Sequence, residues 1–319
     1  MISSRPLPRV SVVVPAYNAA DALPLQLEAL STQAGDTPIE VIVVDNGSTD
    51  ATSSVIDAWS RRSTDGFAVR RVEARDHQGP GYARNVGAAH ARAKLLMFAD
   101  ADDVVSRWWI MHGLRAFQES CLWTGKTVDI VETDFPADVA AVREWIRDSD
   151  EWTPLIHGDT DFEYPIVLGG GFGCTAEVYR RIGGFDQSFG TLYEDNEFGI
   201  RAHRMGIAVD QADAVRLAYR IRDSRRMRSR LIRRASALHV MAVCRHGLGP
   251  HPRLVKPLRN LVGALVAAGL MRVGVKEPDY EAVRDRLAAS VGLLHGGWKY
   301  KVRRKSPAAM VGAGLHASR

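Results

Sequence analysis

Three acidic side chains follow an apolar stretch of the chain in a pattern that suits metal and phosphate chemistry. Asp100, Asp102 and Asp103 come directly after the apolar residues 95–99. Carboxylate oxygens are the ligands that Mg²⁺ and Mn²⁺ prefer, and substrate phosphate oxygens often complete such sites. An acidic turn that caps the next helix is the alternative, and these residues alone leave both interpretations open.

Two further polar segments end apolar stretches. Asp45 is the last residue of IEVIVVD, and the run VSVVV at residues 10–14 is followed by Pro15, Tyr17 and Asn18. A carboxylate at the position of Asp45 can accept a hydrogen bond from a nucleotide base or a ribose. An ordinary strand-to-helix turn capped by Ser48 or Asp50 is the alternative.

An arginine and a pair of acids lie at predicted helix starts. Arg84 lies in the first turn of a helix that starts near Gly81, where its planar fork and the free N–H groups suit a pyrophosphate; a solvated arginine is the alternative. Glu194 and Asp195 precede a predicted helix, whose dipole stabilises carboxylates. A catalytic base there needs desolvation or a like charge nearby to keep its basicity.

The elements that position these residues alternate between strand and helix patterns. Such alternation predicts crossover units on a parallel sheet, and open α/β sheets bind ligands beyond the carboxyl ends of their strands. We therefore expect the polar segments to meet at one edge of the sheet. The predicted strands are 10–14, 39–44, 67–72 and 95–99, the predicted helices are 21–33, 52–62, 81–93 and 196–205, and residues 134–165 are predicted to be a loop.

Composition places the chain among ordinary folded proteins. The 319 residues are 46% hydrophobic and 25% charged. Three widely spaced cysteines argue against a disulfide framework or a zinc cluster and fit a reducing, cytoplasmic setting. The first residues lack the apolar stretch of a signal peptide, and the longest uncharged stretch has 12 residues, whereas a spanning helix needs roughly 20.

Basic residues are concentrated toward the C-terminal third. Nine arginines and one acid, Asp223, lie between Arg216 and Arg234, and a second cluster runs from Lys299 to Lys305. These residues suit anionic lipid head groups at the inner face of a membrane or a phosphate-bearing acceptor, and a solvated amphipathic helix is the alternative. Zinc-finger spacing, an RNP pattern and a recognition helix are all missing from the sequence, which argues against nucleic acid.

Taken in order, the motifs P-x-Y-N, V-D-N-G-S-T-D, A-R-N-x-G, D-A-D, G-G-F-D and E-D-N-E resemble the family-two glycosyltransferases. The resemblance covers residues 10–205, about two thirds of the chain. It implies a GT-A fold: a doubly wound, mostly parallel α/β sheet flanked by helices, with a helical C-terminal extension. Residues 1–220 would form the nucleotide-sugar-binding catalytic domain, and residues 221–319 the basic helical extension.

The resemblance also implies a role for each motif. The glycine run at residues 169–173, with Gly171 and Gly173 singled out, would form with Cys174 and Thr175 the wall where donor sugar and acceptor meet, because glycines allow a close approach of the backbone. A flexible loop before a helix explains the run equally well. Pro15, Tyr17 and Asn18 would line the nucleotide pocket, and Asp45 would contact the base. Arg84 would lie near the base or the pyrophosphate, Asp100 would approach the sugar or ribose, and Asp102 would bind the metal together with Asp100. Asp195 would be the general base for the attacking hydroxyl, and Glu194 would support or orient the acceptor.

The implied function is that of an inverting glycosyltransferase. It would use a nucleoside-diphosphate-sugar, with a UDP-sugar favoured, and Mn²⁺ or Mg²⁺ to glycosylate a hydroxyl in polysaccharide, glycolipid or glycoconjugate synthesis. One departure weakens the metal expectation, because the family's distal histidine is replaced near Tyr219. A non-catalytic nucleotide-sugar-binding or scaffold protein that retains the fold is the alternative, and a homo-oligomer stays open.

Overall fold

The computed structural model describes residues 7–158, 165–222, 225–248, 255–272 and 279–316. The chain divides into two compact units. The first contains the described residues up to Ile221 and those from Ala309 onward, and the second contains Arg222–Ala308. The first boundary lies one residue beyond the expected end of the catalytic domain, whereas the residues from Ala309 onward group with the first unit.

An eight-stranded, mostly parallel sheet forms the centre of the first unit, as the sequence predicts. Its order is β3-β2-β1-β4-β7-β6-β8-β5. Neighbours in the group from β3 to β4 are parallel, β7 is antiparallel to both of its neighbours, and β8 is parallel to β6. The strands are β1 Val10–Ala16, β2 Ile39–Asp45, β3 Phe67–Glu73, β4 Leu95–Ala99, β5 Val104–Val105, β6 Leu122–Val131, β7 Gly171–Thr175 and β8 Asp210–Ile221.

Helices cover both faces of this sheet because its central strands are apolar on both sides. Val12 of β1 packs into one core cluster, and the next residue, Val13, packs into the other. Most of the predicted elements are found within one to three residues of their predicted ends. The helices of this unit are α1 Leu23–Ser31, α2 Thr52–Ser60, α3 Pro80–His90, α4 Trp109–Glu119, α5 Val139–Trp145, α6 Ala176–Ile182 and α7 Glu194–Arg204.

The predicted loop at residues 134–165 is wrong where α5 forms. Asp138 caps this helix by accepting a hydrogen bond from the Ala141 N–H, and Val139 and Val142 are buried on its inner side. The apolar pair, three residues apart, is a helical signal that the surrounding acidic residues hide in the sequence. Residues 159–164 of that loop lie outside the described part of the chain.

The described residues of the second unit form three helices, α8 Arg225–His246, α9 Val255–Arg272 and α10 Tyr280–Gly296, followed by a π-helical turn at Gly297–Val302. Helix α10 packs against both α8 and α9. It comes close to α8 because Gly292 and Gly296 face the α8 backbone at Arg233 and Ala237, where a Cβ would collide. Within the described residues, we find no helix with both the length and the hydropathy of a membrane span.

Candidate active site

The carboxyl ends of β1 and β2 carry the first group of predicted site residues. Asp45 pairs with Ala16 across the two strands and is buried. Its carboxylate accepts hydrogen bonds from the Ser48 N–H (2.8 Å) and the Ser53 hydroxyl (2.5 Å). Burial alone would raise the pKa of Asp45, but these hydrogen bonds outweigh it and lower the pKa below its ordinary value. Asp45 is therefore a fixed, ionised acceptor at the strand edge.

The turn after β1 is tied to the turn after β2. Asn18 adopts a positive φ of 47°, donates its N–H to the Ser48 hydroxyl (3.1 Å) and accepts from the Thr49 N–H through its side chain (2.8 Å). Pro15 is buried within β1, whereas Tyr17 is 51% exposed. Tyr17 is therefore the member of this segment with a surface free for a planar ligand.

Arg84 is the centre of the second group. Its side chain, in the first turns of α3, is only 3% exposed. One terminal nitrogen bonds Asp100 at 2.6 Å and the other bonds Glu194 at 3.0 Å. Burial would lower the pKa of Arg84, but Asp100, Glu194 and Asp195 raise it above its ordinary value. The guanidinium is thus a permanent buried cation between an acidic turn and the start of α7.

Glu194 and Asp195 lie in the first turn of α7, which begins after Tyr193 at a positive φ of 76°. Burial, followed by the charge of Asp195, raises the pKa of Glu194 to about 7 against the opposing charge of Arg84. Burial also raises the pKa of Asp195, against the opposing charge of Arg84. The desolvation that a catalytic base requires at a helix start is therefore present.

The carboxylate of Asp195 is oriented by two backbone N–H groups. Gly169 donates to one oxygen at 3.2 Å, and Asn196 donates to the other at 2.7 Å. The Asn196 side-chain amide also donates to that second oxygen (3.1 Å), so the oxygen bonded by Gly169 is the one that keeps a lone pair. Asp195 can therefore accept a proton without losing its position.

The acidic turn Asp100–Asp103 follows β4 and is held from two sides. Gln26 of α1 donates to the Asp100 carbonyl (3.0 Å) and accepts from the Val105 N–H (3.2 Å), thereby bracketing the turn. Asp103 is 1% exposed and accepts from the Arg220 N–H (3.1 Å). Burial, followed by the charges of Asp100 and Asp102, raises the pKa of Asp103 well above its ordinary value. Asp103 thus anchors the turn, while Asp100 and Asp102 stay partly exposed.

Tyr219 and Arg220 of β8 lie beside this turn, at the position where the family resemblance implies a histidine. Burial and the charges of Asp103, Asp100 and Asp102 raise the pKa of Tyr219 to about 12, so its hydroxyl is neutral at pH 7. Arg220 donates to the Asp102 carbonyl (3.0 Å), bonds Glu132 (3.1 Å) and lies 3.7 Å over the Phe135 ring. Its guanidinium therefore supports the backbone of the turn.

The glycines before β7 approach the site more closely than the glycines within it. A Cβ at Gly170 would lie 2.5 Å from an Asp100 carboxylate oxygen, and one at Gly169 would lie 3.0 Å from the Arg84 guanidinium. At Gly171 and Gly173 a Cβ would instead meet Leu217 and Trp123, which belong to the core. The structure explains Gly171 and Gly173 by packing, and their expected role at the sugar remains a prediction.

Several side chains that support the site were not found by sequence reasoning. Asn46 accepts from the Gly79 N–H (2.7 Å) and so joins the Asp45 turn to the start of α3. Glu197, fully buried, pairs with Arg201 (2.7 Å), whose guanidinium donates to the carbonyl of Ile182 at the end of α6 and to the carbonyl of Gly184 in the G-G-F-D segment. The i, i+4 spacing of Glu197 and Arg201 was a signal for this pair.

The acidic turn has the oxygen chemistry that Mg²⁺ or Mn²⁺ prefers, but part of it is already engaged. Among the described residues, no group of three or more His, Cys, Asp or Glu side chains is arranged to hold a metal ion. Asp100 is bound to Arg84 through one oxygen, and a divalent cation of this kind takes about six oxygen ligands. The donor set therefore fits a cation for which the phosphate oxygens of a substrate supply the remaining ligands.

The fold is of the GT-A type. The chain belongs to glycosyl transferase family 2, whose family model matches residues 11–180. This match ends before Glu194 and Asp195, so the role of these two acids depends on the geometry described above.

Curated relatives share this domain. The chain is similar to a dolichyl-phosphate beta-glucosyltransferase of Drosophila melanogaster, with 39% identity over 108 residues, and to the succinoglycan biosynthesis protein ExoO of Rhizobium meliloti, with 38% identity over 99 residues. These matches cover 32% and 31% of this chain, and 33% and 27% of the relatives. The chain thus matches about a third or less of each of these relatives.

Solved structures share the fold over most of the chain. A mannosyltransferase from Pyrobaculum calidifontis, in complex with GDP-Man and Mn²⁺, superposes with a TM-score of 0.63 at 22% identity, covering 93% of this chain and 88% of that one. TarS 1-349 of S. aureus, in complex with UDP-GlcNAc, superposes with a TM-score of 0.54 at 17% identity, covering 92% of each chain.

Proposed function

We propose that the protein transfers a sugar from a nucleoside-diphosphate-sugar to an acceptor hydroxyl, with inversion at the anomeric carbon. The observation that carries this proposal is the buried Arg84, which bonds Asp100 on the donor side and Glu194 on the base side. A fixed cation at this point suits the negative charge that develops on a departing diphosphate. Its pairing with Glu194 also places Asp195 within the same cluster.

The nucleotide would bind at the carboxyl ends of β1 and β2. Asp45 is an ionised acceptor for a base N–H or a ribose hydroxyl, and the exposed ring of Tyr17 offers a stacking surface. Asn18 holds the two turns together and so keeps this pocket in shape. A UDP-sugar remains the favoured donor on the family resemblance, and GDP-Man in the mannosyltransferase neighbour makes a GDP-sugar the first competitor to test.

The chemical step is a single displacement. The acceptor oxygen forms a bond to the anomeric carbon while the bond from that carbon to the diphosphate oxygen breaks, and the nucleoside diphosphate leaves from the opposite face. Asp195 receives the hydroxyl proton, for which its partly buried setting and raised pKa provide the basicity. Glu194, which accepts a hydrogen bond from Arg84, would orient the acceptor.

A divalent cation would be held by Asp102 and, in part, Asp100, together with phosphate oxygens of the donor and water. When bound, Mn²⁺ or Mg²⁺ would neutralise charge on the diphosphate. Tyr219 is a neutral neighbour of this turn, which distinguishes the site from one completed by a histidine. We therefore propose that the cation binds much more tightly with nucleotide than without it.

We further propose that the protein works in polysaccharide, glycolipid or glycoconjugate synthesis at the cytoplasmic face of a membrane. Its three cysteines, all within the described residues, are free thiols, as a reducing compartment favours. The basic residues of the second unit would attract anionic head groups, and a lipid-linked acceptor would then be near at hand.

A donor panel tests the proposed function. The protein is incubated with UDP-, GDP- and dTDP-sugars, with and without Mn²⁺, in the presence of sugar, lipid-linked and glycoconjugate acceptors, and the released nucleoside diphosphate is measured. We expect one donor class to be turned over faster with Mn²⁺. Binding of a donor without turnover across the acceptor panel would favour the non-catalytic alternative and contradict the proposal.

A further inference from the structure

Helix α9 is apolar on both of its sides. Between Asn260 and Arg272 it contains eleven residues without a charge or a polar side chain. Its Ala264 and Met271 pack with Val283 of α10 and form the small core of the second unit. One apolar side of α9 is thereby accounted for.

The other side of α9 carries an exposed aliphatic stripe. Its four side chains are all more than half exposed: Leu258 54%, Val262 55%, Leu265 57% and Val266 56%. Their spacing of four, three and one residues places them on one face of a helix. Gly263 and Gly269 extend this open surface, since a Cβ at either position would have no neighbour within 4 Å.

Charge surrounds the stripe. Arg259 and Arg272, both exposed, lie on its two flanks at helical spacing. Residues 222–308 contain twenty Lys and Arg but only five Asp and Glu, whereas the rest of the chain contains twenty-two basic and thirty-two acidic residues. The positive charge of the protein is therefore concentrated in the unit that presents the stripe.

We propose that the aliphatic stripe of α9 inserts into the surface of an anionic lipid bilayer, with the helix lying in the plane of the interface. A helix that is apolar all round is normally covered on all sides. An anionic bilayer supplies both an apolar layer for the stripe and phosphate charge for the flanking arginines. This proposal concerns a helix of the second unit and does not depend on sugar transfer.

Charge and length favour this occupant over the alternatives. A second copy would bring an equally basic unit against the first, and the like charges would oppose pairing. The eleven uncharged residues extend about 16 Å as a helix, roughly half of a ~30 Å hydrocarbon core, so the segment suits the interface rather than a crossing. Arg259 and Arg272 can keep their charged ends in water while their stems follow the apolar surface.

Vesicle flotation with the full-length protein tests the proposal. Wild type, Val262→Ser/Leu265→Ser and the matched control Val131→Ser/Met205→Ser are mixed with vesicles of phosphatidylcholine, with and without phosphatidylserine, in the absence of nucleotide sugar. The control removes exposed apolar side chains from the first unit. Because each inserted methylene contributes roughly a factor of four to membrane affinity, we expect the α9 variant to bind at least tenfold more weakly.

The outcomes separate the alternatives. Flotation of wild type and control with anionic vesicles, together with loss of flotation for the α9 variant, supports insertion. Equal flotation of all three proteins, or no flotation of wild type, overturns it. Sedimentation velocity adds a further test, because a wild-type dimer that the α9 substitutions convert to a monomer would show that a second copy covers the stripe. An unchanged far-ultraviolet circular dichroism spectrum for each variant confirms that its helices are folded.

Discussion

At Arg84 one buried guanidinium joins carboxylates from distant parts of the chain. Asp100 lies 16 residues away in sequence and Glu194 lies 110 residues away. Removing either partner of such a buried pair leaves an uncompensated charge, so the cluster is sensitive to each of its members. Its pH behaviour is consequently a test of the geometry.

Glu194 should make stability depend on pH. Its pKa is about 7 in the folded protein, against an ordinary value of 4.5. Between these values the folded state holds a proton that the unfolded chain has released, so stability from this group is present at low pH and is lost as pH rises toward 7. In wild type this group should lower the free energy of unfolding by up to about 3 kcal/mol between pH 4.5 and pH 7. We expect Glu194→Gln to remove that fall.

Urea denaturation at several pH values between 4.5 and 7.5 measures this effect. Glu177→Gln, which changes an exposed glutamate in the first turn of α6, is the control and should follow the wild-type profile. Parallel profiles for wild type and Glu194→Gln would contradict the burial and pairing assigned to Glu194.

At the scale of the element, the turn before β7 sets how closely the backbone approaches Asp100. Gly170→Ala would place a Cβ 2.5 Å from the Asp100 carboxylate and force that side chain away from Arg84. A hydrogen bond between charged groups is worth about 1.5–3 kcal/mol, so if the Asp100–Arg84 bond is needed to hold the donor, we expect donor affinity to fall roughly 10- to 100-fold. Isothermal titration with the preferred nucleotide sugar and Mn²⁺ measures the change.

A matched substitution controls for the loss of glycine itself. A Cβ at Gly66, in the turn before β3, has no neighbour within 4 Å, so Gly66→Ala should leave donor affinity unchanged. An unchanged affinity for Gly170→Ala as well would mean that the position of Asp100 does not matter for the donor.

The segment from Ala309 onward packs against α3 and bonds to it. Asn85, next to Arg84, donates to the Ala313 carbonyl (2.9 Å), and Met310 donates its N–H to Asp186 (2.9 Å). Leu315, 9% exposed, packs into the same apolar cluster as Tyr82 and Val86 of α3. The end of the described chain thus helps to position the helix that carries Arg84.

Leu315→Ala should therefore destabilise the first unit by about 2 kcal/mol, at the lower end of the cost of removing a core leucine because the side chain lies at the rim. Urea denaturation measures the change. Leu7→Ala, at a site 82% exposed, should stay within ~0.5 kcal/mol of wild type. Equal stabilities for Leu315→Ala and wild type would show that this segment is not part of the fold's support.

At the scale of the whole molecule, the sequence predicted the first half of the sheet better than the second. Strands β1 to β4 follow one another with a helix between each pair, so local patterns were sufficient to find them. The insertion of β7 between β4 and β6 was not predictable, because its neighbours are set by pairing over more than 40 residues.

The candidate site was predictable as a set of motifs but not as an arrangement. The order of the motifs pointed to Asp45, Arg84, Asp100 and Asp195. The glycine run that contains Gly170 was a local signal for a close approach of the backbone, but its partner Asp100 was not predictable. The bridge from Arg84 to Glu194 and the support of the acidic turn by Gln26 likewise depend on long-range packing, which no local pattern encodes. The raised pKa values of Glu194 and Asp195 depend on the burial that this packing produces.

In the proposed mechanism Asp195 removes the acceptor proton, whereas other residues, among them Asp45 and Asp100, bind the donor. Asp195→Asn tests it most directly, with turnover and donor affinity measured on the same preparation. Because a placed base contributes ~10²–10⁴-fold, we expect kcat to fall by that factor while the Kd of the donor stays within about threefold of wild type. Asp65→Asn, in an exposed turn, should leave both values unchanged. Wild-type turnover by Asp195→Asn, or loss of donor binding in step with turnover, would contradict the account.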